Sequence, residues 1–346
     1  MEQIRGRIIG GELAPGSQLP SRTEMIKTLG TCKATLQDAL NELRRDGFIE
    51  SRERSGTFVV EKPPHLSRVG VVLGPDPDGL WRAFTEALRR EIPGVERERG
   101  CRFVLYENVT KHRETAEYRQ LFRDIRAHQL AGLIFRGHIF SWGLDETPFM
   151  TVPGIPRVVF TGPPDMPGVP RVQLDDEALF DRVLDYLVAR GRRRVALINN
   201  YELPSWQMAH FLAGVSSRGM AIKSPWIHRV TGDEGRRLTE LLMLLTAAER
   251  PDALFIADEN LTEQVSAGIL ASGVKAGADI DVVAHANLPA AGPTLVPVKR
   301  VGWNMAECLR IFMDLLDRQR LGEEPPLCTK LRPVFEEEVP ASVVVP

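Results

Sequence analysis

Hydrophobic positions near the start of the chain recur at helical spacing in short, well-punctuated segments. Ile4 and Ile8 fall on one face of a first helix, and the glycine pair at 10–11 ends it, because glycine takes the left-handed conformation without a side-chain clash. Ser21, followed three residues later by Glu24, forms a capping-box pattern that opens a second helix. The pattern therefore predicts two short amphipathic helices within the first thirty residues.

A third and longer helix follows, with Thr31 as its expected cap and Gly47 at its end. Its apolar positions follow the spacing i, i+3, i+4, i+7 and are Leu36, Ala39, Leu40 and Leu43. Two strand-like runs, 48–51 and 57–60, then flank a charged turn that contains glycine. Residues 1–62 are thus predicted to form a winged helix-turn-helix domain.

From residue 69 to the end, apolar runs alternate with amphipathic stretches. Residues 63–68, which begin with two prolines, are predicted to be a stiff linker. The strand-like runs are 69–73, 102–106, 132–135, 157–160, 195–198, 253–256 and 281–284, and the helical patterns are 81–92, 179–189, 235–248, 260–272 and 305–320. This alternation predicts an α/β body with parallel sheets, and the number of strands favours two lobes over one sheet.

Composition narrows the class of protein. The 346 residues are 43% hydrophobic and 26% charged with a net charge of -2, as in ordinary soluble proteins. The four cysteines are scattered singly, which indicates neither a disulfide framework nor a zinc site. The amino-terminal segment lacks the apolar centre of a secretory signal, and no run of eighteen apolar residues occurs. We expect a cytoplasmic protein with no membrane contact.

The head closely resembles the winged-helix domain of GntR-family bacterial regulators. The resemblance lies in GELAPGSQLPS at 11–21, in LGTCKATLQDALNEL at 29–43, and in the DGFIE and SGTFV runs that build the wing. It implies binding to a double-stranded DNA operator. In domains of this kind the third helix enters the major groove with its first residues on base edges, while caps and wing cations contact phosphates.

The resemblance also implies which residues contact DNA. They are Ser21, Arg22 and Thr23 at the start of the second helix, Lys33, Thr35 and Gln37 on the third, and Arg52, Arg54, Ser55 and Gly56 in the wing. The family commonly has arginine where this chain has Thr23, Lys33 and Gln37, so its preferred operator does not carry over. The 62 head residues hold ten Lys and Arg against nine Asp and Glu, so a single head should have only modest non-specific affinity for DNA. We therefore expect a homodimer, in which two heads bind the operator together.

The body resembles the LacI-type effector domain, which has the two-lobed periplasmic-binding-protein fold. The segments that carry this are, in order, RVGVVL, LAGLIF, IPRVVF, VQLDD, GRRRVALI, RPDALFIADE and VGWNMAECL. The resemblance implies a small-molecule effector in a cleft and marks Asp258 as the residue that reaches it. Where the family has a pocket arginine, this chain has Phe211, which makes an unusual or more apolar effector an alternative to a sugar.

Further ligand candidates follow the predicted strands, because ligands of such folds bind at the carboxyl ends of parallel strands. The ones we select are Trp81, Arg136, Tyr201, Trp206 and Asn287; other polar residues at such ends are Asp76, Asp78, His138, Asn199, Glu259 and His285. Hydrogen-bonding groups together with aromatic faces suit a sugar-like or other polar cyclic ligand.

The combined features predict a sequence-specific DNA-binding regulator, by default a repressor relieved by its effector. No dinucleotide, phosphate-loop, metalloprotease or nucleophile-elbow motif occurs in the sequence, so we expect no enzyme activity and no cofactor. Three alternatives remain open. The first is a DNA-binding regulator whose pocket no longer binds a ligand, and the second is a small-molecule binding protein without a regulatory role. In the third, the three-helix head contacts proteins and not DNA.

Overall fold

The computed structural model describes residues 1–137, 140, 142–160, 168–230, 234–289 and 291–340. The chain divides into two compact units. The first comprises Met1–Pro75, Glu96–Pro170 and Asp314–Pro325, and the second comprises Asp76–Val95, Arg171–Met313 and the chain from Pro326 onward. Within the described part of the chain, no helix combines the length and the apolar character needed to cross a bilayer.

The head at the start of the first unit is the predicted winged helix-turn-helix. Its elements are α1 (Glu2–Ile9), α2 (Arg22–Leu29), α3 (Lys33–Arg45), β1 (Ile49–Arg52) and β2 (Gly56–Val59). The two strands pair antiparallel, with Ile49 opposite Val59. All four residues of the predicted apolar stripe on α3 are buried, and its three leucines share one core with residues of α1 and of the wing.

The start of α3 differs from the prediction. Thr31 does not cap the helix; the cap position is Cys32, whose side chain makes no capping hydrogen bond. The reason is that α2 ends at Gly30 in the left-handed conformation, and the Thr31 amide still donates to Ile26 O over 3.3 Å. Thr31 is thus part of the closing turn of α2. The wing strands also lie one residue away from their predicted positions.

The body contains the predicted alternation of helices and strands. Its helices are α4 (Pro64–Ser67), α5 (Arg82–Arg99), α6 (Ala116–Arg126), α7 (Pro148–Thr151), α8 (Asp176–Ala189), α9 (Ser205–Ser217), α10 (Glu234–Met243), α11 (Thr262–Ser272) and α12 (Met305–Arg320). Its strands are β3 (Arg68–Val72), β4 (Arg102–Tyr106), β5 (Gly132–Arg136), β6 (Arg157–Phe160), β7 (Arg171–Leu174), β8 (Val195–Asn199), β9 (Ile227–Arg229), β10 (Ala253–Ile256), β11 (Asp281–Leu288), β12 (Lys299–Asn304), β13 (Cys328–Leu331) and β14 (Val334–Phe335). Residues 64–67 of the predicted linker form α4.

Each unit contains parallel strands, which confirms the predicted two-lobed α/β class. In the first unit the order is β6-β5-β3-β4, with every pairing parallel. In the second unit the order is β14-β12-β11-β10-β8-β9, parallel except for β14, and β7 pairs in parallel with β13. The central strands β5, β8 and β10 are buried along their whole length, as strands covered on both faces must be.

Candidate nucleic-acid interface and ligand site

Helix α3 buries one face and presents the other to solvent. Leu36, Leu40 and Leu43 are at most 2% exposed in the head core, whereas Lys33 and Thr35 are exposed at the first turn. The core contacts of the stripe therefore set which side of α3 points outward. Because reading helices contact base edges with their first residues, the exposed turn has the geometry that DNA reading needs.

The start of α2 is held in position by its cap. Ser21 Oγ accepts a hydrogen bond from the amide of Glu24 over 3.2 Å, as the capping-box pattern predicts. The next two residues, Arg22 and Thr23, are exposed on the first turn. Unpaired backbone amides at a helix start attract anions, so this turn suits contact with a DNA phosphate.

Four of the predicted DNA-contacting residues come together where α2 meets α3. Arg22, Thr23, Lys33 and Gln37 line one concave surface, which encloses about 220 Å³. The rest of its lining is apolar and consists of Ile26, Leu36 and Leu40. Its two cations come from different helices. Ser21 and Thr35, the other two helical candidates, lie outside this lining. The fold thus unites side chains that are separated by up to fifteen positions in sequence.

Asn41 is a polar residue of α3 that the sequence reasoning missed. Its Oδ1 accepts from Gln37 Nε2 at 2.9 Å and from Arg44 Nη1 at 3.2 Å, and Arg44 Nη2 continues to Ser51 Oγ at 2.7 Å. This chain of hydrogen bonds orients the Gln37 amide and connects α3 to the wing. The available signal was spacing, since Asn41 lies one turn after Gln37 on the exposed face.

The two wing arginines differ in how much charge they can offer. Arg52 Nε donates to Glu50 Oε1 at 2.8 Å, and its guanidinium lies 4.5 Å from the centre of the Phe58 ring. Arg54 is exposed at the tip in the left-handed conformation (φ 56°), and it forms no ion pair with any residue that the structure describes. Arg54 is therefore the better placed of the two to contact a phosphate.

A glutamine outside the predicted wing braces its tip. Gln18 Nε2 donates to the carbonyl of Ser55 at 2.7 Å, and residues 17–19 hydrogen-bond along β2 as a third strand-like segment. Gly56 has φ 114°, and a Cβ atom there would lie 2.7 Å from Gln18 Nε2. The backbone conformation therefore favours glycine at position 56, and a Cβ atom there would displace the Gln18 amide. Gln18 carried no signal of its own in the sequence.

The polar ends of three adjacent strands gather in the second unit. The strands β8, β10 and β11 are in register, with Ile198 opposite Ile256 and Ile256 opposite Ala284. Asp258, the most strongly marked ligand candidate, follows β10 and is 9% exposed. Its carboxylate accepts from the Asn260 amide at 2.8 Å. Burial nevertheless raises the pKa of Asp258, because the charged form loses hydration.

Glu259 and Asn287 form a close pair beside this turn. The Glu259 carboxylate accepts from the backbone amide and from Nδ2 of Asn287, each over 2.8 Å. Asn287 is 4% exposed. Burial raises the pKa of Glu259, and the three hydrogen bonds, including one from Gly292, act in the opposite direction.

Asp176 and Gln207 also belong to the polar group of the second unit. Neither residue is among the ligand candidates predicted from the sequence. Gln207 Nε2 donates to Asp176 Oδ2 at 2.8 Å, and burial raises the pKa of Asp176 to about 6. Loss of hydration, followed by the charges of Asp176 and Asp258, raises the pKa of Tyr201 to about 12. Both carboxylates are therefore near Tyr201. Asp176 follows the short strand β7, which the hydrophobic pattern did not predict.

The two tryptophan candidates lie in the second unit. The Trp81 amide donates to Asp76 Oδ2 at 3.1 Å, and the carbonyl of Leu80 accepts from Asn260 Nδ2 at 3.3 Å. These bonds place the Trp81 segment next to the turn of Asp258. Trp206, on the first turn of α9, is 49% exposed. Its indole can therefore be reached from solvent.

Two predicted ligand candidates, Arg136 and Phe211, do not belong to the polar group of the second unit. Arg136 belongs to the first unit, where it is 4% exposed and donates to the carbonyl of Gly74 at 3.0 Å. Phe211 is fully buried, with ring centroids 5.4 Å from Phe180 and 6.2 Å from Phe255. The structure thus puts Phe211 in the core and not at the strand ends, because an aromatic ring there completes apolar packing. His138 lies outside the described residues.

Comparison with protein families matches both parts of the chain. Residues 1–59 match the family described as bacterial regulatory proteins, gntR family, and residues 184–336 match the periplasmic binding protein-like domain. The predicted resemblance is confirmed: a gntR-family helix-turn-helix domain precedes a domain like the periplasmic binding proteins.

Individual proteins are also similar to parts of this chain. The chain is 25% identical over 203 residues to the arabinose metabolism transcriptional repressor of Geobacillus stearothermophilus, covering 56% of this chain and 54% of that protein. The chain thus spans about half the length of this curated relative. Among solved structures, it resembles a LacI-family regulatory protein from Chloroflexus aggregans (TM-score 0.58, 21% identity, 78% and 96% coverage) and a LacI-family regulator from Bifidobacterium animalis subsp. lactis (TM-score 0.59, 18% identity, 78% and 95% coverage). These structures share the fold of the body.

Proposed function

We propose that this chain, which joins a gntR-family head to a body like the periplasmic binding proteins, is a sequence-specific DNA-binding transcription regulator controlled by a small molecule. The observation that carries the proposal is the concave surface between α2 and α3, where Arg22 and Lys33 stand beside Thr23 and Gln37. Two cations next to hydrogen-bonding side chains on an exposed reading helix match what a major-groove interface requires.

The head would divide its contacts between bases and phosphates. Lys33 and Gln37 would contact base edges, since lysine pairs with guanine and glutamine with adenine, and Thr35 would add a shorter contact. Ser21, Arg22 and Thr23 would hold a phosphate at the start of α2. In the wing, Arg54 would contact the phosphate backbone of the DNA. Arg52, Ser55 and Gly56 would shape the tip of the wing.

Domain boundaries and assembly belong to the same proposal. We assign 1–62 to the DNA-binding domain, 63–68 to the linker and 69–346 to the effector domain. A head with a net charge of +1 has little non-specific affinity, so two heads in a homodimer would bind a near-palindromic operator more tightly than one. Such a regulator acts where the genome is, which places it in the cytoplasm.

The body would act as the sensor, with no catalytic role and no cofactor. The relative named for arabinose metabolism is a repressor, which supports repression and a sugar-related effector here. Asp258, Tyr201 and Asn287 would contact the effector, with Trp81 and Trp206 offering aromatic faces. An effector changes DNA affinity only through its different affinities for the DNA-competent and incompetent states.

Fluorescence anisotropy with labelled duplexes tests the DNA-binding part. Duplexes from upstream of the chain's own gene are compared with a random duplex at roughly 0.15 M salt. We expect clear preference for one upstream duplex, and Lys33→Ala should weaken that complex by about tenfold or more, since one good base contact is worth 1–3 kcal/mol. Lys27→Ala is the matched control, because Lys27 is exposed on α2 but does not line the concave surface. Equal binding of all duplexes would contradict the proposal.

A further inference from the structure

Two carboxylates in the second unit share one arrangement with a neighbouring side-chain amide. Gln207 donates to Asp176 and Asn287 donates to Glu259, each over 2.8 Å. The neighbouring Asn200 side chain lowers the pKa of Asp258, against the larger effect of burial. In both pairs the carboxylate accepts from the amide NH₂ group, since an ionised carboxylate can only accept. The orientation of each amide is therefore set by its partner.

The oxygens of these two amides, and that of the Asn200 amide, have no partner in the described part of the chain. Gln207 Oε1, Asn200 Oδ1 and Asn287 Oδ1 are buried and accept no hydrogen bond from the residues described. Gln207 is 7% exposed and Asn287 is 4% exposed, so neither oxygen regains a partner by facing bulk water. Buried acceptors without a donor cost about 1–3 kcal/mol each. Three of them in one unit indicate that a donor-rich molecule belongs there.

The carboxylates also lack a cation bound directly to them among the described residues. Asp176, Asp258 and Glu259 form no ion pair within the described ranges; Lys330, the cation that acts on Asp176, pairs with the adjacent Asp175 at 3.2 Å. Where the LacI-type pattern has arginine, this chain has the buried Phe211. A metal ion does not resolve the imbalance, since no group of three His, Cys, Asp or Glu in the described chain is arranged to hold one.

Resting on the proposed regulator function, we infer that the effector is an amino-substituted sugar or polyol. Its protonated amine is held by Asp176 and Asp258, and its remaining donors reach the amide oxygens of Gln207 and Asn287. An ammonium group supplies both the missing positive charge and up to three hydrogen-bond donors. Tyr201 and Trp206 are exposed aromatic residues of the same unit, and aromatic faces favour cations as well as sugar rings.

Isothermal calorimetry on the full chain tests the class of ligand. The probes are matched pairs that differ in one group: D-glucosamine against D-glucose, and 1-amino-1-deoxy-D-glucitol against D-glucitol, with N-acetyl-D-glucosamine and D-glucuronate as neutral and anionic controls. We expect an amine to bind at least about tenfold tighter than its hydroxyl partner, the change that one charge-assisted hydrogen bond supports. Equal or tighter binding of the neutral or anionic probe overturns the inference, and so do flat traces for every probe.

Variants locate the interaction. Asp258→Asn and, independently, Asp176→Asn should each reduce the amine preference at least tenfold, because each removes one charge while nearly keeping side-chain volume. Glu177→Gln is the matched control: it removes one charge from the same turn of α8, where the side chain is 47% exposed. Thermal unfolding identifies any variant that fails to fold, and the other then carries the test. Unchanged preference in a folded variant contradicts the inference.

The same protein sample separates this inference from the proposed function. Anisotropy with the preferred duplex is repeated with and without the amine. Amine binding in a chain that shows no duplex preference supports the ligand class and contradicts the regulator. Duplex preference together with tighter binding of D-glucose or D-glucuronate supports the regulator and overturns the ligand class.

Discussion

The side-chain amide of Gln129 donates a hydrogen bond to the main-chain carbonyl of Asp46, 3.1 Å away. Asp46 is the C-cap residue that directly follows α3, and its carboxylate also accepts from the buried guanidinium of Arg5. Gln129 Oε1 in turn accepts from Arg68 Nη1 at 2.6 Å, at the start of β3. The carboxyl end of α3 is thus hydrogen-bonded, through the one buried side chain of Gln129, to the start of β3 in the sheet of the first unit.

Replacing that side chain should loosen the connection. Gln129 is 5% exposed, so Gln129→Leu leaves the Asp46 carbonyl and the Arg68 guanidinium without their partner. We expect a loss of about 1–3 kcal/mol in the free energy of unfolding, measured by urea denaturation. Gln120→Leu, which removes an exposed glutamine from α6, should change it by less than about 0.5 kcal/mol. Equal effects of the two variants would show that the Gln129 bonds contribute nothing.

The head could be predicted from sequence because each of its boundaries depends on local chemistry. The apolar stripe of α3 and the Ser21 cap both act within a few residues, and the structure contains each of them. The Thr31 cap was wrong because the turn between two helices has more than one polar residue that can occupy the cap position. Local rules do not decide between such neighbours.

The polar group of the second unit could be predicted only in part. Asp258 and Asn287 follow long apolar strands, whose buried runs are visible in the sequence. Asp176 follows β7, a four-residue strand with polar side chains that depends on pairing with β13 for its existence. Gln207 lies on a helix and reaches Asp176 only through the tertiary fold. Pairings between distant segments have no local signal.

The two wing arginines should differ in the salt dependence of DNA binding. Arg54 makes no ion pair in the described structure, whereas the charge of Arg52 is offset by Glu50 at 2.8 Å. Arg54→Ala should therefore reduce the magnitude of the slope of log affinity against log salt concentration by about 1 for each wing that contacts the DNA. Arg52→Ala should reduce it less. Anisotropy titrations across a range of salt concentrations measure both slopes. A larger change for Arg52→Ala would contradict the assignment.

Gly56→Ala should damage the wing without disturbing the body. Alanine is strained at φ 114°, and its Cβ would approach Gln18 Nε2, which holds the Ser55 carbonyl. We expect about 1–3 kcal/mol of destabilisation and weaker binding to every duplex. Gly6→Ala is the control, since Gly6 lies in α1 with nothing within 4 Å of the added carbon, and alanine favours the helix there. If both variants bind DNA alike, the wing does not need the Gly56 conformation.

Acid should weaken the contact between the head and α4 through His65. Its ring stacks on Phe48 at 5.8 Å, and burial, followed by the nearby His128 and Arg320, lowers the pKa of His65 to about 4. Between this value and the ordinary 6.5 the unfolded chain binds more protons than the folded one. The contribution of neutral His65 to stability is therefore complete above about pH 6.5 and falls as the pH drops towards 4.

His65→Phe keeps the stacked ring and removes the titrating group, so it separates packing from protonation. We expect the variant to gain stability relative to the parent chain at about pH 5 compared with about pH 7, measured by urea denaturation at both values. His285, whose pKa burial also lowers to about 4, is present in both proteins and cancels in the difference. A difference in stability that stays constant between the two pH values would show that His65 is not held neutral by the fold.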